Sequence, residues 1–298
     1  LTPYASDNIR SLPQILKEKG YNTSFFHGAP DGSMGFLSLT KLLGIENYYG
    51  KTEYNNDADF DGTWGIWDEP FFQFFEQKLS SFKEPFFSAI FSVSSHEPFK
   101  LPEEYTGKFP KGPLPIYECM GYTDMALQKF FAKAAQAPWF KNTLFVISAD
   151  HATLCYHKEY LNQWGSAAIP ILLYAPGDST MRGVDTSIIQ QTDIMPTVLS
   201  YLHYNKPFVA FGENVFAKPR MNFAYKYSGE FSWFQDNYLL IFDGEKPKAL
   251  YNYTKDRFLE NDSAKFLPER YNAMTRNAKA FIQQYSNRLI QNRMSADK

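Results

Sequence analysis

The chain has 298 residues, 44% of them apolar and 21% charged, and its 30 basic and 32 acidic side chains leave a net charge of −2. That length holds one large α/β domain or two small ones, and the composition excludes a disordered chain. The absence of a basic block argues against a nucleic-acid partner, and two cysteines, Cys119 and Cys155, exclude a disulfide framework.

In chain order, residues 7–19 place Ile9, Leu12, Ile15 and Leu16 on one helical face, with Gly20 as the stop. TSFFHG (23–28) reads as a short strand running into a glycine loop, and SMGFLSLTKLLG (33–44) as a second helix. EYNNDADFDGTWG (53–65) is polar and turn-rich, so a surface loop is expected. DEPFFQFFEQKLSSF (68–82) is an amphipathic helix with Asp68 as its expected N-cap and Pro70 in the first turn. FFSAIFSV (86–93) reads as a strand buried on both faces, ending in SSHEPF. Residues 117–136 form the longest central helix, and NTLFVIS (142–148) and IPILLYAP (169–176) add two further buried strands. TDIMPTVLSYLH (192–203) is a helix capped by Thr192 or Asp193.

Strands alternating with helices predict an α/β fold with a mostly parallel sheet flanked by helices. From about residue 221 the pattern changes. FAYKY, NYLLIFDG and KALYNY alternate with turn signals and predict an antiparallel meander, followed by a terminal helix over about 267–294. The expected division is an α/β core over 1–220 and the meander with its helix over 221–298. No repeat or low-complexity segment is visible. The longest apolar runs have eight residues, whereas a membrane-spanning helix needs roughly 20. Leu1 is not a natural start residue, so an excised or processed soluble piece is expected.

Functional groups in an open α/β sheet collect at the carboxyl ends of its strands. Three of the five histidines fall there: His27 after TSFF, His96 after FFSAIFSV and His151 after TLFVIS. Asp150–His151 offers a carboxylate and an imidazole, a pair suited to Mn²⁺, Mg²⁺ or Zn²⁺. Two ligands do not make a stable site, and the same pair also reads as a cap with a packed histidine. His27 lies beside glycines, with Asp31 four residues on. Such a loop can approach an anion, and it can equally be a tight strand-to-helix connection. Trp64 can stack on a sugar or glycerol group or act as a lid on the core. His157 and His203 receive no role.

FFHGAPDGSMGF, GTWGIWDEPFF, SVSSHEPF, YTDMALQKFF, NTLFVISADH and QQTDIMPTVLSYL follow one another in the order and spacing of a known family. Together they resemble the sulfatase-like domain of lipoteichoic acid synthase-type proteins, within the alkaline phosphatase superfamily. The likeness covers about residues 5–260, and LYNYTKDRF resembles the close of such a domain. It implies a metal-dependent phosphoglycerol transferase or a phospho- or sulfo-ester hydrolase in which a threonine attacks the ester. It places a divalent metal, manganese first, on a glutamate, that threonine, and the pair Asp150 and His151. It gives His96 to the substrate phosphate and makes His27 a candidate for the substrate side, to which the reading of their own loops adds Asp31 and Trp64, though an anionic Asp31 would not itself attract a phosphate. It also implies a substrate linked to a lipid or glycan, and an extracytoplasmic, periplasmic or cell-surface domain of a bacterial membrane protein.

Two departures qualify the resemblance. The family's glutamate and threonine precede the stretch matching LTPYASDNIRSLP. The nucleophile is therefore expected upstream of this chain, the metal site is expected to be incomplete, and these 298 residues are expected to be catalytically silent. The loop GAPDGSMGF also lacks the Arg and Trp of its family counterpart, so the head-group contacts differ. A missing first strand would expose a sheet edge, and a homodimer through that edge is expected. The contrasting reading is a non-catalytic binding or scaffold domain on the same fold.

Overall fold

The computed structural model describes residues 8–296. Asp7, the first residue of the expected opening helix, lies outside them. The chain forms two compact units, one from Arg10–Thr143 with Ala175–Gly177, the other chiefly from Leu144–Tyr174 and residues 178–296.

In the first unit, helix α1 (Leu12–Glu18) starts later than its apolar spacing suggests. Ser11 and Gln14 form a capping box there, and Pro13, which has no N–H, fits only in a first turn. Strand β1 (Asn22–His27) is central, flanked in parallel by β2 (Asn47–Tyr49) and β3 (Phe86–Phe91). Helix α2 (Phe36–Leu42) and a single turn, α3 (Lys51–Tyr54), flank β2 in sequence. The crossover to β3 carries α4 (Asp68–Ser81), which packs on α5 (Ile116–Ala134). Parallel neighbours need such crossovers because a tight turn cannot reverse the chain twice.

Aromatic rings build this core. Phe26, with no exposed surface, stacks on Tyr49 at 4.5 Å and meets Phe75 edge-on at 4.7 Å. Phe75 continues to Phe130 at 5.5 Å, which joins α4 to α5. Burying one such ring contributes about 1.5–3 kcal/mol. Buried Glu76 adds a polar tie, accepting from Ser80 at 2.7 Å and pairing with Lys133 at 2.7 Å.

Strands β4 (Phe145–Ser148) and β5 (Ile171–Tyr174) belong to the second unit and pair antiparallel, not parallel as their place in an alternating pattern suggests. The connection between them contains only short 3₁₀ turns, at Lys158–Tyr160 and Gly165–Ala167, so no α-helical crossover carries the chain back. Neither strand is fully buried. β4 is half-buried throughout, and β5 alternates half-buried with exposed positions, as β3 in the first unit is half-buried along its length.

Helix α6 (Ile194–Tyr201) follows a 3₁₀ turn at Gln191–Asp193. The expected meander is a four-stranded sheet: β6 (Phe223–Ser228), β7 (Glu230–Gln235), β8 (Tyr238–Phe242) and β9 (Pro247–Asn252). Alternation buries both faces of it. Trp233, Leu240 and Leu250 meet Met274 and Ala278 of the terminal helix α7 (Pro268–Ile290), while Phe234, Leu239 and Ile241 turn to Tyr253 and Trp164. The fold is thus mixed α/β, with a parallel sheet, an antiparallel meander and a terminal helix. No helix among the described residues is long and apolar enough to cross a membrane.

Candidate functional site

β1 and β3 are parallel neighbours, with His27 opposite Phe91, so the loops that leave them emerge at the same end of the sheet. The loop after β3 carries His96, whose N–H donates to Val93 O at 3.2 Å. His96 is exposed. Its Nδ1 lies 3.1 Å from Glu97 O, and since a carbonyl only accepts, Nδ1 carries the proton. Nε2 is then the free atom of the ring.

Trp64 reaches the same turn from residues 60–66. Asp61 Oδ1 accepts the N–H groups of Thr63 and Trp64, each at 2.7 Å, and of Gly65 at 3.1 Å, which folds the loop onto one carboxylate. Ile66 N–H donates to Gly28 O at 2.9 Å and docks the loop on the exit of β1. The approach is so close that a Cβ on Gly65 would lie 2.7 Å from the Gly28 carbonyl carbon. Held this way, Trp64 stands with its ring centroid 4.2 Å from that of His96, and its Nε1 donates to Glu97 O.

Beneath the turn sits Asp68, 2% exposed. The N-cap of α4 is Trp67, and the Asp68 carboxylate reaches across to β3 instead of capping its own helix. Its Oδ1 accepts from Val93 N at 3.0 Å and Ser94 N at 3.2 Å, and its Oδ2 from Thr123 Oγ1 at 2.7 Å. Burial pushes its carboxyl above the usual carboxylate range, against the lowering effect of these donors. The expected capping role is corrected accordingly: the amides of the loop after β3, not those of the first turn, bind the carboxylate.

His27 is 2% exposed, walled by Phe36 at 4.8 Å and Phe91 at 5.4 Å. Its Nδ1 faces Phe91 O at 3.4 Å, and its Nε2 has no hydrogen-bond partner. Burial lowers its pKa, so the ring is held neutral with an unsatisfied nitrogen. Asp31 is exposed, and its Oδ1 would lie 2.5 Å from a Cβ on Gly50. Burial, then the charges of Asp31 and Glu53, push the neighbouring Tyr48 phenol up to about 12. The sequence thus places His27, Asp31, Trp64 and His96 in one unit, and the fold joins Trp64 to His96.

Asp150 and His151 belong to the other unit and follow β4 directly. Their side chains are 53% and 69% exposed. Asp150 Oδ1 accepts the His151 N–H at 2.9 Å. His151 Nδ1 donates to Ala152 O at 2.8 Å, and Nε2 lies 3.4 Å from Asp150 Oδ2. That spacing also suits a shared cation. A divalent ion with bonds of about 2.1 Å to each, at a tetrahedral angle, requires a separation of about 3.4 Å. A ring N–H spent on a carbonyl is also how ligating histidines are held. The pair fits a metal as a partial ligand set, because the described residues contain no group of three or more His, Cys, Asp and Glu placed to hold one.

Gln191 lies in the motif QQTDIMPTVLSYL, but the sequence assigned it no role. From the turn before α6, its Nε2 donates to Ala149 O and Asp150 O, each at 2.9 Å, and clamps the backbone that presents the pair. Asp193 is buried and fixes that turn through Gln190 N at 2.9 Å and Glu213 N at 2.7 Å. No sequence signal separates a glutamine that binds backbone carbonyls from one that faces water.

Known proteins resemble the chain in sequence and in fold. Lipoteichoic acid synthase 1 of Bacillus subtilis (strain 168) is 26% identical over 231 residues, 71% of this chain and 36% of that protein, so the chain spans about a third of that relative's length. Among solved structures, a protein of the alkaline phosphatase superfamily from Vibrio parahaemolyticus superposes with a TM-score of 0.82 at 23% identity, covering 100% of this chain and 72% of the other. The lipoteichoic acid synthase LtaP from Listeria monocytogenes gives a TM-score of 0.77 at 19% identity, covering 99% and 76%. The family model described as Sulfatase matches residues 3–204, more than half of the sequence, and the chain therefore belongs to the sulfatase family.

Proposed function

We propose that the chain is part of a metal-dependent phosphoglycerol transferase or phospho- or sulfo-ester hydrolase, with Asp150 and His151 as two of its metal ligands. The observation that carries this reading is the facing of His151 Nε2 and Asp150 Oδ2 at 3.4 Å in a member of the sulfatase family. When bound, a divalent ion, Mn²⁺ first and Mg²⁺ or Zn²⁺ after it, would neutralise charge on the transferred group and favour the ionised nucleophile. Asp150 would hold it through Oδ2 and His151 through Nε2. The remaining ligands, a glutamate and the nucleophilic threonine of the resemblance, are assigned to residues outside those described.

On the substrate side, the exposed His96 offers its Nε2 to the ester. Trp64 braces that ring and offers an apolar face to a glycerol or sugar. Asp31 accepts from a substrate hydroxyl, and the unpaired Nε2 of His27 accepts one buried donor. The parent protein is proposed as membrane-anchored with this part outside the cytoplasm, acting on a lipid- or glycan-linked ester. A homodimer through a sheet edge belongs to the same proposal, and a monomer by light scattering at high concentration removes it.

The test uses two polypeptides. The 298 residues alone bind Mn²⁺ weakly in calorimetry and turn over neither p-nitrophenyl phosphate nor p-nitrophenyl sulfate. The parent, carrying the glutamate and threonine, turns over one of them and loses that activity in D150A and H151A. A parent indifferent to both substitutions overturns the proposal and leaves a non-catalytic scaffold. Turnover by the 298 residues alone overturns the assignment of the nucleophile.

A further inference from the structure

We propose that Asp68 is a positioning residue for His96: its buried carboxylate sets the turn on which His96 faces the ester. The inference rests on the reading of His96 given above. Its geometric part stands on the bonds of the turn itself.

Those bonds form a relay through one residue. Asp68 Oδ1 accepts the Val93 N–H at 3.0 Å, and Val93 O accepts the His96 N–H at 3.2 Å. A second bond locks the relay, since the same Oδ1 accepts from Ser94 N at 3.2 Å while Ser94 Oγ accepts from Asp68 N at 2.9 Å. Ser94 is itself only 3% exposed, so water does not compete for these groups. The other carboxylate oxygen is held by Thr123 of α5, which fixes the carboxylate from the opposite side.

The placement is not explained by the helix that Asp68 begins. A carboxylate in a first turn stabilises its helix while exposed, at little cost. Here it is buried, where its charge is opposed by desolvation, and it binds two amides of the loop after β3. A carboxyl group buried under these conditions organises whatever its donors carry, and they carry His96. Trp64 reaches the turn independently through Glu97 O. His96 is thereby fixed from below by Asp68 and from the side by Trp64.

The test follows the His96 ring and the Val93 and His96 amides by NMR in the 298-residue chain, with inorganic phosphate as the probe. In D68A, amide exchange at Val93 and His96 speeds up, the His96 ring resonances move, and phosphate binding weakens roughly tenfold, as expected when a contact group is misplaced. D68N keeps an oxygen for the two amides and can donate to Thr123, so all three readouts stay within about twofold of wild type. If D68A does not fold by circular dichroism, S94A, which removes only the reciprocal bond, shows the same changes at smaller size. A folded D68A, or in its place S94A, with unchanged exchange at Val93 and His96 overturns the proposal. So does exchange that rises equally throughout the unit, which marks Asp68 as merely structural. If phosphate moves no His96 resonance in the wild type, the substrate role of His96 fails, and the exchange data still judge Asp68.

Discussion

Trp64 and His96 lie 32 residues apart in sequence, yet their ring centroids are 4.2 Å apart and Trp64 Nε1 and His96 Nδ1 both donate to Glu97 O. One carbonyl therefore orients two side chains from different loops. W64F keeps a ring against His96 but loses the donor. It is expected to cost about 0.5–1 kcal/mol in urea unfolding and to weaken phosphate binding at His96. W64A is expected to be worse in both, because the ring contact goes as well. Equal behaviour of the two variants would show that the ring contact contributes nothing.

Gly65 is a steric requirement. Its missing side chain is what lets the Trp64 loop touch the β1 exit, with a Cβ–carbonyl separation of only 2.7 Å left for any other residue. G65A is expected to destabilise the protein by about 2 kcal/mol or more, since backbone cannot yield as a side-chain tip does. Urea midpoints measure it, and a neutral G65A would show that the loop docks less closely.

His27 makes stability depend on pH. Burial lowers its pKa from 6.5, outweighing the hydrogen bond to Phe91 O that raises it. The folded protein thus holds the neutral ring, and the unfolded chain takes up the proton first. The contribution is fully present above 6.5 and is lost as pH falls below it toward the lowered folded value. Unfolding midpoints at about pH 8 and about pH 5.5 should therefore differ more in wild type than in H27Q, which cannot titrate there. An identical pH dependence in both proteins would mean that His27 is not held neutral.

Gln191 should matter to the proposed metal pair without touching it. Q191A frees Ala149 O and Asp150 O, and because the residue is exposed the stability cost should stay within about 1 kcal/mol. Manganese affinity of the parent protein is expected to fall about tenfold, the lower end for lost support of a ligand. Q191E keeps the shape without the donors and should behave like Q191A. Calorimetric titration of Mn²⁺ decides, and unchanged affinity in both variants would remove Gln191 from the site.

The sequence by itself determined much of the local structure. Short apolar runs marked β1 and β3, helical patterning marked α4, α5 and the terminal helix, and the strand-end positions of His27, His96 and His151 singled them out, because side-chain direction follows local backbone geometry. The ordered motifs were enough to indicate the family. Tertiary structure alone decided the rest. β4 and β5 turned out antiparallel because pairing direction depends on whether the connecting chain packs as a crossover helix, which depends on distant surfaces. Asp68 read as a cap because a carboxylate at a helix start looks the same whether it binds its own amides or those of the loop after β3. Gln191 fell in a family motif but its role carried no signal, since backbone carbonyls, the groups it binds, are present at every position of every sequence. Hydrogen-bond partners brought together by the fold, over separations of 25 residues for Asp68 with Val93 and 42 for Gln191 with Ala149, lie beyond the reach of any local pattern.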